Sequence, residues 1–273
     1  MQKIIPTQTL IQEFACQITP LHQCSYLPDR AARLEFIEPN HMDTPTFSRF
    51  SRQGFRRSGQ QLYRPFCLHC QRCIATRLPV TEFSPNRTQR KILQKNSQLA
   101  ISIIACVDAN EQHFALYARY ICERHSDGDM YPPSPYSFER FLAYSFTHSF
   151  FMEFWDETDD TLVMVAVCDK LDDGISAVYT FFEPSFDKQS LGVYAILSQI
   201  EYVKGLGLPY LYLGFWIPHA TKMQYKANYH PIELYIDEKW HYFADKITPE
   251  TVEPLLQQAI KHRYLNFWAN DNG

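Results

Sequence analysis

At 273 residues, with 45% hydrophobic and 21% charged side chains and a formal net charge of −4, the chain can bury a core and is too apolar for a disordered tail. No stretch approaches the roughly 20 apolar residues that span a bilayer, and MQKIIPTQTLIQEFACQ, broken by Gln and Glu, does not read as a signal peptide. The expectation is a soluble, cytoplasmic protein with no membrane partner, whose eight cysteines serve as thiols or metal ligands rather than disulfides.

In chain order, LHQCSYLP is framed by Pro20 and Pro28 as an exposed turn carrying His22 and Cys24. Residues 49–95 then hold eleven lysines and arginines against one acid, Glu82. Charge this concentrated calls for an anionic partner or, failing that, an acidic face such as EFWDETDD to pack against. Inside it, FSRFSRQGFRRSGQQLYR (residues 47–64) alternates aromatic and basic side chains around Gly54 and Gly59, which predicts strands joined by a tight turn. Next comes YRPFCLHCQRC, where Cys67, Cys70 and Cys73 are separated by two residues each. That spacing lets thiolates turn toward one centre, and tetrahedral zinc or a four-iron cluster needs a fourth ligand from Cys24, His22 or His69. The alternative is a set of small thiols packed under a basic loop. Asn86 opens a short basic helix, with Ile92 and Leu93 on one side and Arg87, Arg90, Lys91 and Lys95 over the rest.

LAISIIACV predicts a buried strand, residues 110–125 and 137–150 predict helices, and TLVMVAVC with GISAVYTFF predicts an antiparallel hairpin around an Asp-Gly turn. Ser190 is placed to cap a helix bearing Val193, Ile196, Leu197, Ile200 and Val203, stopped by Gly205 and Gly207. YLYLGFWI predicts another buried strand, HATKMQYKANY a short helix, and residues 251–268 a closing amphipathic helix. The sum is an α+β protein: a small basic, cysteine-containing domain over residues 1–98 and a mixed-sheet domain over residues 99–273.

CSYLPDR (24–30), GFRRSGQQLYRPFCLHCQRC (54–73), SAVYTFFEP (176–184), SLGVYAIL (190–197) and YLYLGFWI with KMQYK (210–217, 222–226) together resemble the aminoacyl-tRNA protein transferases. The resemblance spans nearly the whole chain and is closest to the bacterial branch that donates leucine, a relative of the eukaryotic arginyl-tRNA protein transferases. It implies an acetyltransferase-like (GNAT) fold for the C-terminal part. It also implies transfer of leucine from Leu-tRNA to the α-amine of a protein beginning with Asp or Glu, creating an N-degron for proteolysis; arginyl transfer from Arg-tRNA is the alternative. The eukaryotic relatives carry a Cys-x-x-Cys pair near the N-terminus and bind an iron-sulfur cluster. Here Cys24 is retained and Leu27 stands where the second cysteine would fall.

The residues permit this chemistry. An aminoacyl ester is already activated, so no cofactor is required for catalysis, in keeping with the lack of a Walker loop or a Gly-x-Ser-x-Gly elbow. An α-amine with a pKa of about 7.7 to 8.0 needs only positioning and a weak base. Arg49, Arg52, Arg87, Arg90, Lys91 and Lys95 are the candidates for tRNA phosphates. Arg56, Arg57 and Arg64, with Tyr63, are candidates for the acceptor's carboxylate. Within the shared C-terminal motifs the catalytic candidates are Ser176, Tyr179, Glu183, Lys222 and Tyr225, with Glu183 as proton acceptor and His219 as its rival. Ser190, Gly192, Gly214 and Lys226 are candidates for substrate binding, the glycines by close backbone approach to the ester. In a regular strand Ser176 and Tyr179 face opposite sides. In a helix Lys222 and Lys226 share one edge, and Tyr225 and Tyr229 another. Two readings outside the family compete. An acetyl-CoA enzyme would need more glycine than KQSLG offers for a pyrophosphate. A non-catalytic, metal-stabilised RNA-binding protein would leave the second domain without a purpose.

Overall fold

The Asp43 side chain accepts a hydrogen bond from the Thr46 amide at 2.9 Å, and Pro45 follows it, so a helix starts where the aromatic-basic alternation predicts a strand. In this computed structural model, which describes residues 14–39, 41–143 and 149–271, that helix is α1 (Thr44–Arg52). Its Phe47 and Phe50, three apart, are fully buried. Before it come β1 (Gln17–Ile18), β2 (His22–Gln23), β3 (Ala31–Ala32) and β4 (Leu34–Ile37), and after it β5 (Arg56–Ser58) and β6 (Gln61–Pro65). β1, β4, β6 and β5 form a four-stranded sheet in that order, while β2 pairs with β3.

β7 (Ile74–Pro79), α2 (Arg87–Lys95), β8 (Leu99–Ala105), α3 (Glu111–Arg124), α4 (Pro135–Phe138) and a π-helical turn (Glu139–Ala143) lead into β9 (Ser149–Asp156), β10 (Thr161–Leu171) and β11 (Gly174–Phe182). A 3-10 helix (Pro184–Gln189), α5 (Leu191–Gly205), β12 (Tyr210–Trp216), a second 3-10 helix (Thr221–Asn228), β13 (Ile232–Ile236), β14 (Lys239–Phe243) and α6 (Pro249–Asp271) complete the chain. Eight strands form one mixed sheet in the order β14-β13-β7-β12-β11-β10-β9-β8. One face packs on α2, α5 and α6 through Ile92, Leu197, Ile200 and Leu256, the other on α3 and α4 through Leu116, Tyr117 and Phe138. This is the expected α+β, mixed-sheet architecture. β7 comes from the N-terminal part yet lies between β13 and β12, so the sheet crosses the boundary expected at residues 98 and 99.

The β10–β11 hairpin, α2, α3, α5, β12 and α6 fall where the sequence places them. β8 is a strand, but at the sheet's edge rather than buried, so Ile101 and Ile103 face outward. Of the helix expected over residues 137–150, the described part runs to Ala143, and Ser149 already begins β9; residues 144–148 lie outside the described residues.

β11 and β12 form the parallel pair of the large sheet, joined through α5, and they pair for three residues, Gly174, Ile175 and Ser176 against Tyr210, Leu211 and Tyr212. Beyond that point each strand is bulged. β11 carries Val178 as an extra residue against β10, and β12 carries Leu213 as an extra residue against β7. Bulges bend strands, and here they bend both members of the pair just past their last contact. The pair closes only because residue 174 is glycine: a Cβ there would overlap the Tyr210 carbonyl oxygen. Gly174→Ala is expected to cost about 1–3 kcal/mol, the usual range for overpacking. Denaturant unfolding followed by circular dichroism measures it, and an unchanged midpoint would contradict the requirement.

Candidate active site between the parted strands

Past Ser176 and Tyr212 the facing edges of β11 and β12 have no further ladder pairs, and a series of side chains crosses the gap between them. On the β11 side, Tyr120 of α3 packs on Phe182 with ring centroids 4.9 Å apart and on Tyr179 at 6.5 Å. Burial, then the neighbouring Tyr120, raises the Tyr225 hydroxyl pKa. The Lys226 ammonium nitrogen lies 5.7 Å from the Tyr225 ring and donates to the Phe215 carbonyl on β12 at 2.5 Å. Phe215 in turn stands 5.8 Å from Tyr63 and 5.9 Å from the Arg56 guanidinium. The parted strand edges are therefore bridged by aromatic rings, with two basic residues at the far end.

Both basic residues are buried, Arg56 with 5% of its surface exposed and Lys226 with 5%. Arg56 donates to the carbonyls of Ser51, Phe55 and Thr76, and its Nε has no partner. Besides the Phe215 carbonyl, Lys226 reaches only the Met223 sulfur, at 3.7 Å. Among the described residues neither is paired with a carboxylate. Burial, then the neighbouring Arg56, lowers the Lys226 pKa to about 7. Burial likewise lowers Arg56 to about 10, so it remains charged at neutral pH. Burying an uncompensated cation costs several kcal/mol, which a fold tolerates where a ligand anion is to be held. Gly214, in the left-handed region at φ +78, borders this site, where a Cβ would sit 3.7 Å from the Lys226 nitrogen.

The expected site residues divide. Arg56, Tyr63, Gly214, Lys226, Tyr225 and Tyr179 come together around the cleft. Burial pushes Tyr63 up to about 12 and Tyr179 higher still; the Tyr179 hydroxyl has no partner in the described structure and stays protonated. Ser176 and Tyr179 lie on one face of the sheet, not on opposite faces, because the extra residue Val178 restores the phase between them. Lys222 does not share an edge with Lys226. Their turn is 3-10, with about three residues per turn, so positions four apart are rotated away from each other. Lys222 is therefore exposed and Tyr225 half-exposed, while Lys226 and Tyr229 are buried. The Glu183 carboxylate is engaged by Arg119 at 2.9 Å. Arg57 is bound to Asp169 at 2.7 Å with both side chains fully buried, and Arg64 to Glu35 at 2.5 Å; both serve as structural ties. Ser190 adopts φ 56 ahead of α5 and its side chain makes no cap hydrogen bond, and a Cβ at Gly192 would meet nothing. Tyr120, Phe182 and Phe215 were not legible as site residues, since on paper each looks like core packing.

On α2, Arg87, Arg90, Lys91 and Lys95 are all exposed. The helix is anchored beside the cleft by Gln89 donating to the Asn228 carbonyl and by Asn96 and Lys95 donating to the carbonyls of Gln189 and Lys188. Arg49 and Arg52 lie on α1 instead, where Arg49 bonds Thr46 and Arg52 pairs with Asp173 at 3.3 Å.

Cys24 does join the other three cysteines in space: burial, then Cys67, Cys70 and Cys24, pushes the Cys73 thiol up to about 12. Among the described residues, however, no group of three or more His, Cys, Asp or Glu is arranged to hold a metal ion. The cysteine loop is pinned by Gln71 to the Ala259 carbonyl, Arg72 to Glu253 and Arg263 to the Cys67 carbonyl, and Cys73 adjoins Tyr63. It thus buttresses the basic end of the cleft.

Comparison with known proteins gives the family. The model for the arginine-tRNA-protein transferase N terminus matches residues 22–91, and that for its C terminus matches residues 112–236. An aspartate/glutamate leucyltransferase of Acinetobacter baumannii is 48% identical over 249 residues, 91% of each chain. One of Pseudomonas aeruginosa is 48% identical over 223 residues, 81% of this chain and 94% of that one. Among solved structures, L-PGS from Bacillus licheniformis aligns with a TM-score of 0.42 at 8% identity, covering 78% of this chain and 76% of that one. The chain belongs to the arginine-tRNA-protein transferase family and is an aminoacyl-tRNA protein transferase.

Proposed function

We propose that this transferase moves leucine from Leu-tRNA to the N-terminal α-amine of proteins beginning with Asp or Glu, in the cytoplasm, marking them as N-degrons. The observation that carries the acceptor reading is buried Arg56, a charged guanidinium with an unpartnered Nε and no acid beside it. A guanidinium of this kind binds a carboxylate through paired, charge-assisted hydrogen bonds. The aromatic walls supply the apolar surface that a leucyl side chain would cover. An arginyl donor would bring another cation to a cleft that already holds two basic residues, which favours leucine. The tRNA phosphates fall to the exposed basic face of α2, with cleft aromatics available for the bases of the single-stranded acceptor end. No cofactor takes part in the reaction as proposed, because the ester is already activated.

Radiolabelled Leu-tRNA and Arg-tRNA, each offered with peptides beginning Asp, Glu, Ala or Lys, test this directly. Leucine should pass to Asp and Glu peptides alone, and failure with both tRNAs would overturn the reading. Arg56→Lys keeps the charge and loses the planar fork; KM for the Asp peptide should rise about 10- to 100-fold, the worth of one to two charged hydrogen bonds. Replacing Arg90 and Lys91 by Ala should weaken tRNA binding and flatten the log-log salt dependence by roughly one to two units. Binding unchanged across salt concentrations would contradict the placement of tRNA on α2.

A further inference from the structure

Resting on the transfer reading above, we propose that Lys226 is the proton acceptor for the incoming α-amine, and that an acidic acceptor side chain held by Arg56 is what allows Lys226 to take that proton. Recognition of Asp or Glu and proton transfer are then one coupled event.

The geometry singles out Lys226. Its nitrogen donates to the Phe215 carbonyl at 2.5 Å and borders the Met223 sulfur, so the neutral amine can be held with its lone pair unused. Residue 214, the strand position beside that nitrogen, is glycine, and a Cβ there would come within 3.7 Å of it. The proposal places the reacting amine on this glycine side of the nitrogen, where no side chain stands. The rivals are excluded by their partners or their placement. Glu183 is ion-paired to Arg119, Lys222 is exposed, and the Tyr179 phenol is held protonated. His219 is exposed, and His125 is engaged with the Tyr120 hydroxyl at 3.3 Å.

The titratable groups around the pair are Arg56 on β5, Tyr63 on β6, Tyr212 on β12, and Tyr225 on the same turn as Lys226, with Arg77 on β7 one step beyond. The acid reached through Tyr212 is Asp173, which Arg52 already pairs. Nothing in this set offsets a proton on Lys226, and Arg56 opposes it. An acceptor carboxylate on Arg56 removes that opposition. The chemical step then balances: the amine nitrogen attacks the ester carbonyl and a C–N bond forms. One amine proton moves to Lys226, the C–O bond to the tRNA ribose breaks, and the ribose oxygen receives the proton back from Lys226. An acceptor beginning with Ala leaves Arg56 uncovered and should lose turnover as well as binding.

The test uses Lys226→Met, which keeps the volume and removes the amine, alongside Lys226→Arg, which cannot be neutral near pH 7. Under single turnover with saturating Leu-tRNA, both should transfer to an Asp peptide at least ~100-fold more slowly than wild type. Lys226→Met should melt at or above the wild-type temperature, because an uncompensated buried amine has been removed. In wild type, NMR of labelled lysine nitrogens should show one amine titrating near 7 and moving upward when Asp peptide binds, but not when Ala peptide binds. Transfer within about threefold of wild type, a melting temperature several degrees lower, or a Lys226 titration that the Asp peptide leaves unmoved would each overturn the proposal. Absence of transfer by wild type itself would overturn the transfer reading and the proposal together.

Discussion

Three paired residues on each of β11 and β12 hold two parallel strands together at their starts, and two bulges then pull the strands apart. The pairing depends on Gly174, since any side chain there would occupy the space of the Tyr210 carbonyl. The parting depends on Val178 and Leu213, each an extra residue against its other neighbour. A continuous ladder would fill the middle of the sheet with paired backbone. The split ladder instead leaves room between the strands for buried side chains, which act in a low dielectric where charges count for more.

The N-terminal part is tied to that cleft from below. Arg57 and Asp169, both fully buried, join β5 to β10, and β7 threads into the large sheet beside β12. These ties fix the neighbouring residue Arg56 against Phe215 and Tyr212. The arrangement works against stability. Lys226 in the unfolded chain keeps its proton up to its ordinary 10.5, whereas in the folded chain it loses it near 7. Its cost therefore grows as pH falls from 10.5 to 7 and is constant below that. Cations retained in the core at such a cost, without an acid to offset them, are the mark of a site rather than of packing.

Much of this was legible in the sequence, and the rest fails for physical reasons. Helical spacing of Val193, Ile196 and Ile200 identified α5, and the Asp-Gly turn identified the β10–β11 hairpin, because both signals are local. Residues 47–52 read as strand because their aromatic-basic alternation outweighed the cap at Asp43 and the proline at its start. β7, β13 and β14 are short, and their pairing partners are distant in sequence, so no local pattern marks them. Lys226 was placed among the substrate-binding residues, but an α-helical spacing argument paired it with Lys222. The 3-10 geometry that separates them belongs to the tertiary fold. Likewise Arg57 and Arg64 carry the same charge as Arg56 in the same motif, and only their distant partners Asp169 and Glu35 set them apart from Arg56, which has no carboxylate partner among the described residues.

The central claim, that buried and uncompensated basic residues in the cleft read an acidic acceptor, meets its most direct test in a crystal structure with a bound peptide beginning with Asp. The account predicts the aspartate carboxylate on the Arg56 guanidinium, with the peptide's α-amine within hydrogen-bond reach of the Lys226 nitrogen. A peptide bound elsewhere, with Arg56 still sealed among backbone carbonyls and aromatic rings, would contradict it.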